Sequence, residues 1–251
     1  MINSQPFLRL CAKVQTFFRK PFFAQPRTLF GLWTFLAVIA GITKIAPHRH
    51  NNFLIFRGVF WHTLQKLSLY DFYPKEYNDH NHYGPIFSLV IAPFAVVPDA
   101  LGLLGWLVVL ALGMYYSVRR LPLEEGRQIF LYWFCAHELL TALQMQQFNI
   151  AIAAIIIGSF AAIEKGREVT AAFLIVLGTF VKLYGVVGLA FFFFVKRKPR
   201  FILALIGWSV VCFVAPMLIS SPEYVLGQYV EWYERLAAKN GENTFALMQN
   251  I

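Results

Sequence analysis

The 251-residue sequence predicts an all-α, polytopic membrane protein, and three observations carry that prediction. Hydrophobic residues make up 58% of the chain, with 26 Phe and a mean hydropathy of +0.57. Only 14% of residues are charged, against roughly 25% in soluble domains. Several apolar runs approach the ~20 residues that cross a hydrocarbon core. About seven spans are expected, with one long polar loop, residues 46–98, after the first.

The net charge is +9, from 22 Lys+Arg against 13 Asp+Glu. These cations gather in short links between apolar runs, as the positive-inside pattern requires, rather than in a basic stripe. No RNA-type aromatic motif accompanies them, so nucleic acid is not an expected partner; the lipid bilayer is. Cys11, Cys135 and Cys212 lie far apart, without metal or redox spacing, and read as small buried hydrophobes.

Residues 1–27 read as a cytoplasmic amphipathic lead-in, because Arg9, Lys13, Arg19, Lys20 and Arg27 interleave with Phe and Leu and no signal-peptide cleavage pattern follows. The first span is expected over Thr28–Ile45, closed by Pro47. Its basic leader places its start in the cytoplasm and loop 46–98 on the outer face.

Within that loop Phe53, Phe56, Phe60, Leu64 and Leu67 recur at helical spacing, with Asn51 or Asn52 available as a cap. A surface-lying helix is expected there, then an irregular crossing from Tyr70 to Asn81. Pro85–Val97 is apolar but only thirteen residues long, too short for a ~30 Å core at ~1.5 Å per residue. It reads as interfacial or re-entrant.

Further runs follow at Ala100–Val118, Gln128–Leu143, Ile150–Ile163, Val169–Lys182, Tyr184–Val195 and Phe201–Ile219. This parity leaves the basic links Arg119–Arg127, Glu164–Glu168 and Lys196–Arg200 inside. A full crossing by Pro85–Val97 would invert them. Residues 28–219 thus form one membrane module, and 220–251 an outer-face tail with an amphipathic stretch, Tyr224–Leu236.

Candidate chemistry collects on the outer face. One cluster is His48–Asn52 with Arg57 and His62. Another runs from Tyr70-Asp71 through Lys75-Glu76 and Asp79 to Tyr83. A third combines His137-Glu138, Gln144, Gln146, Gln147, Asn149 and Lys182. Lys182, at the outer end of a broken helix pair, could hold a phosphate; alternatively it pairs with Glu138 or reaches to the interface. The amides of Gln147 and Asn149 could bind sugar hydroxyls or cap helix ends. Glu138 reads as a structural hydrogen-bond partner between helices. The histidine pairs His48/His50 and His80/His82 are spaced i,i+2, unlike a helical zinc pair, so no metal site is expected. Walker, Rossmann and Ser-nucleophile motifs are absent.

The order of these motifs resembles a known family. A first span is followed by N-N-F-L-I-F, then Y-G-P-I, Q-F-N at an outer turn and F-V-K-L-Y-G at a span end. This is similar to the bacterial polyprenyl-phosphate-dependent mannosyltransferases of the GT-C fold, over about Thr28 to Ile219. The resemblance implies a GT-C-like bundle in the bacterial inner membrane. It also implies transfer of a mannose-like hexose from a polyprenyl-phosphate donor to a periplasmic glycan or glycolipid acceptor. No cofactor is implied, although a divalent cation could assist. The family's general-base aspartate falls on Asn52 here, so Asp71, Asp79 or Glu76 would have to substitute. Tyr83 and Pro85 match its Y-x-P, Gln147 and Asn149 its Q-x-N, and Lys182 its lysine, with Leu183 in place of proline. Arg57 joins these as a substrate-binding candidate. The family is typically longer, which implies a truncated chain. A non-catalytic scaffold and a lipid or solute transporter are the alternatives.

Overall fold

The computed structural model describes residues 21–45 and 49–249, with backbone alone for 239–249. The lead-in before Pro21, Cys11, Pro47 and His48 lie outside the described residues. All regular structure among the described residues is helical.

Helix α1 (Pro26–Ile45) packs along α4 (Asp99–Arg119). Its seam carries small residues, Ala37, Ala40 and Gly41, all buried. A Cβ on Gly41 would lie 3.1 Å from Leu104 Cδ1. Small residues let helix backbones approach where no hydrophobic force separates lipid from protein. Trp33 anchors this pair to the next layer, donating from Nε1 to the Tyr132 carbonyl at 3.1 Å.

Among the described residues three helices are long and apolar enough to cross a membrane alone: Pro26–Ile45, Asp99–Arg119 and Lys198–Leu218. The last is α9 (Lys198–Val214) continued by a tight 3₁₀ turn, Ala215–Leu218, around Pro216. The other expected spans appear as shorter pieces. The expected run Gln128–Leu143 is two helices, α5 (Glu125–Phe134) and α6 (Ala136–Gln144), meeting at Cys135. Helices α7 (Asn149–Glu164) and α8 (Glu168–Val181) are 16 and 14 residues long.

The segment that looked too short, Tyr184–Val195, has a specific solution. Leu183–Phe194 winds as a 12-residue 3₁₀ helix. At ~2.0 Å per residue it reaches about 24 Å, where an α-helix would reach about 18 Å. Such length is uncommon for a 3₁₀ helix, and close packing accompanies it here. A Cβ on Gly185 would collide with the backbone of Gly178 and Thr179, and one on Gly188 with Ile175.

The polar loop folds inward instead of spreading on a surface. Helix α2 (Asn51–Gln65) buries Phe53, Ile55, Phe56, Val59, Phe60, His62 and Thr63, around most of its circumference. The expected asparagine cap is not made: His50 is the N-cap residue, and it makes no side-chain cap bond. Asn51 Oδ1 instead accepts the Asn78 N–H at 2.8 Å, and Asn52 turns to a distant turn. Helix α3 (Phe87–Ala95), nine residues long, packs on α2 and is too short to cross. Pro98 then starts α4 directly.

Helix α10 (Pro222–Gln249) lies against the loop. Gln228 Oε1 accepts the Leu69 N–H at 2.7 Å, Ser68 donates to Glu231 at 2.6 Å, and Tyr224 donates to the Leu67 carbonyl at 2.6 Å. The tail therefore braces the loop from residues more than 150 positions away in sequence.

Candidate functional site

The candidate site is built on a four-residue turn, Met145–Phe148, between α6 and α7, and on Asn149, the first residue of α7. Gln146 adopts a left-handed conformation there, φ 54°, unusual for a residue with a Cβ. Its buried side chain accounts for the geometry. The amide accepts the Phe53 N–H at 3.2 Å and donates to the Arg49 carbonyl at 3.0 Å. One side chain thus satisfies two backbone groups at the start of α2 and fastens the turn there.

Asn52 joins the same turn, donating from Nδ2 to the Met145 carbonyl at 2.7 Å. Across it, Asn149 donates to Gln147 Oε1 at 2.9 Å, while its own Oδ1 accepts from Lys182 Nζ at 2.7 Å. The Lys182 ammonium also lies 5.7 Å from the Tyr83 ring centroid and 5.1 Å from that of Tyr184. Lys182 leaves α8 in extended conformation, which swings its side chain toward the turn.

Tyr83 reaches this point because its loop is pinned on three sides. Tyr70 donates its hydroxyl to the Tyr83 carbonyl at 2.9 Å, and Asn81 closes a local turn with the Tyr83 N–H at 3.0 Å. Trp232 from α10 donates to the His82 carbonyl at 3.2 Å. Gly84 and buried Pro85 then dock on the end of α8. Burial pushes the Tyr83 phenol up to about 12, partly offset by a hydrogen bond from the Phe148 backbone. It stays neutral at ordinary pH, a polarisable face beneath the Lys182 cation.

An aromatic floor supports the turn. Phe148 stacks on Trp106 at 5.9 Å and 15°, and meets Phe87 edge-on at 5.4 Å. Phe87 stacks on Tyr83 at 4.8 Å, and Phe56 closes against both Tyr83 and Phe87 at 5.1 Å. Aromatic rings are stiff, so the amides above them are held with little freedom.

The structure thus gathers Asn52, Tyr83, Gln147, Asn149 and Lys182 around one turn, while the Pro85 carbonyl accepts from Ser88. The other sequence candidates stand elsewhere. Arg57 forms an ion pair with Asp99 and donates to the Ala95 carbonyl at 3.1 and 3.3 Å. That position ties the C-terminus of α3 to the N-terminus of α4. Asp71 and Asp79 are both exposed. The Asp71 N–H reaches Ser68 Oγ at 3.3 Å, and Asp79 Oδ1 accepts the His80 N–H at 2.7 Å. Each is tied to the site through its chain neighbour: Asn78, before Asp79, is bonded to Asn51, and Tyr70, before Asp71, is bonded to the Tyr83 carbonyl. Glu76 pairs with His62 at 3.1 Å. Glu138, expected to bond between helices, is instead exposed and pairs with its exposed neighbour His137 at 3.6 Å.

Two residues of consequence carry no motif of their own. Gln146 is visible in sequence only as one amide among several, and Asp99 only as an acid after a proline. Each matters through a partner far away in the chain. Among the described residues no group of three or more His, Cys, Asp or Glu side chains could hold a metal ion.

The family model for glycosyltransferase family 87 matches residues 81–251, about two-thirds of the chain. Tyr83, Pro85, Gln147, Asn149 and Lys182 fall inside the match, and Asn52, Arg57, Asp71 and Asp79 before it. No curated protein and no solved structure matches the chain.

Proposed function

The chain belongs to glycosyltransferase family 87, and from that premise we propose that it moves a mannose-like hexose from a polyprenyl-phosphate donor to an envelope acceptor. The observation that carries this reading is the Lys182–Asn149–Gln147 chain of hydrogen bonds, set beside Asn52 and over Tyr83. A mobile lysine would be a poor electrostatic clamp; one held at 2.7 Å by an amide is already oriented. In the reaction, an acceptor hydroxyl oxygen bonds to the sugar's anomeric carbon as the bond from that carbon to the phosphate oxygen breaks. The electron pair leaves with the polyprenyl phosphate, whose charge Lys182 stabilises. The hydroxyl proton passes to a carboxylate, for which we take Asp79, joined through Asn78 to the start of α2, ahead of Asp71. Asn52, Gln147 and Asn149 bind sugar hydroxyls, as amides can both donate and accept.

The active site would face the outer side of a bacterial inner membrane, with the N-terminus cytoplasmic. Dense basic links at Arg119–Arg127 and Lys196–Arg200 support that orientation. The direct test is sugar transfer by purified protein in liposomes containing a radiolabelled polyprenyl-phosphate hexose. Label should move to a glycolipid acceptor, and the Lys182→Ala variant should transfer far more slowly while folding normally. Transfer undiminished in that variant, or none by the wild type across polyprenyl-phosphate hexoses, would overturn the reading.

A further inference from the structure

A groove of about 460 Å³ runs between α4, α7 and α8. Leu110, Ile155, Leu174 and Leu177 make its walls apolar. Gly113 leaves it open, because a Cβ there meets no atom within 4 Å. Trp106 and Phe148 line the end nearest the amide turn. The opposite end is lined by Arg120, just after α4, and by Lys165 and Arg167 in the turn between α7 and α8. Along α7 that basic end lies about 24 Å from Asn149.

Among the described residues no carboxylate comes within ion-pair distance of Arg120, Lys165 or Arg167. Glu164 is exposed and Glu168 is buried, and neither lines the groove. Arg120 bonds only weakly to its own helix, at 3.5 Å to the Tyr116 carbonyl, and lies 5.8 Å from the Tyr116 ring.

We infer that the groove holds an acyl chain of an anionic phospholipid whose phosphate headgroup sits among Arg120, Lys165 and Arg167. An apolar trough opening at a cluster of cations matches a ligand with a hydrocarbon tail and a negative head. A zwitterionic lipid offers the same tail without the net charge. A polyprenyl phosphate bound for Lys182 would bring its phosphate to the other end. The site is therefore separate from sugar transfer and stands or falls without it.

The test uses the full chain in nanodiscs with acyl-brominated phosphatidylglycerol or acyl-brominated phosphatidylcholine. Trp106 quenching is read as the difference from Trp106→Phe, and bound lipid is counted by native mass spectrometry, which needs no tryptophan substitution. Phosphatidylglycerol should be preferred, and Lys165→Gln, an exposed turn position, should reduce the preference by about 5-fold. Gly113→Leu should expel both lipids. Equal binding of the two lipids, or a preference that Lys165→Gln leaves intact, would overturn the assignment. So would displacement of the phospholipid by polyprenyl phosphate, or a groove covered by a second copy of the chain and closed to either lipid.

Discussion

Gly84 donates its backbone N–H to the carbonyl of Val181, 3.0 Å away, and so fixes the Tyr83–Pro85 turn beside Lys182. The contact is only open to glycine. A Cβ at position 84 would strike the Phe180 carbonyl oxygen and crowd Trp232 at 2.9 Å. A backbone-to-backbone bond between residues 97 positions apart is what joins the loop to the end of α8.

Gly84→Ala should therefore push the turn off α8. A destabilisation of about 1–3 kcal/mol is expected, the usual range for overpacking, with transfer reduced more than thermal stability alone explains. Melting in detergent together with a transfer assay checks both; an alanine variant with wild-type melting would contradict the close approach.

Lys182→Ala removes the cation, and Asn149→Ala removes the amide that orients it. The first should lower transfer by about 10²–10³-fold, the scale seen for a lost electrostatic stabiliser. The second should cost less, because the charge remains. Steady-state rates rank them, and the reverse order would mean the amide, not the ammonium, meets the donor.

Asp79→Asn should abolish most transfer, whereas Asp71→Asn should leave it nearly intact. The ranking rests on the Asn51–Asn78 bond, which ties the residue before Asp79 to the start of α2. Equal loss in the two variants, measured at saturating donor, would reassign the base.

Gln146→Ala leaves the Phe53 N–H and the Arg49 carbonyl without their partner. A stability loss of about 1–3 kcal/mol is expected. Gln146→Gly should be milder, since glycine accepts φ 54° without strain. Chemical denaturation of the pair compares the two; a glycine variant worse than alanine would count against the strain.

The buried Tyr83 phenol gives a pH signature. Its folded-state value is raised from 10.0 to about 12 by burial, so folding favours the neutral form. The associated stability is complete below pH 10 and is lost as pH rises toward 12, on the order of 2 kcal/mol. Tyr83→Phe should be flatter over that interval in alkaline unfolding followed by tryptophan emission; identical slopes would refute the burial.

Much of the architecture was legible in the chain itself. Apolar runs bounded by basic links marked the helices, and thirteen residues between Pro85 and Val97 were too few to cross a core. Lys182 stood out because an ionisable group at a span is costly unless partnered or used, Gln147 and Asn149 as amides at an outer turn, and Asn52 and Tyr83 through the family resemblance. Two expectations failed for one reason. The asparagine cap on α2 and the interhelical Glu138 were judged from sequence neighbours, whereas Asn52 found Met145 and Glu138 paired with His137.

Composition and periodicity determined that the chain would bury itself in a bilayer as helices, because local hydropathy and helical spacing act within one segment. Tertiary structure alone decided the rest: that residues 183–194 would stretch into a 3₁₀ helix, that Gln146 would hold the turn, and that Arg57 would answer Asp99. Those outcomes depend on which backbone groups and charges from remote segments meet once the helices pack, and no single segment carries that information.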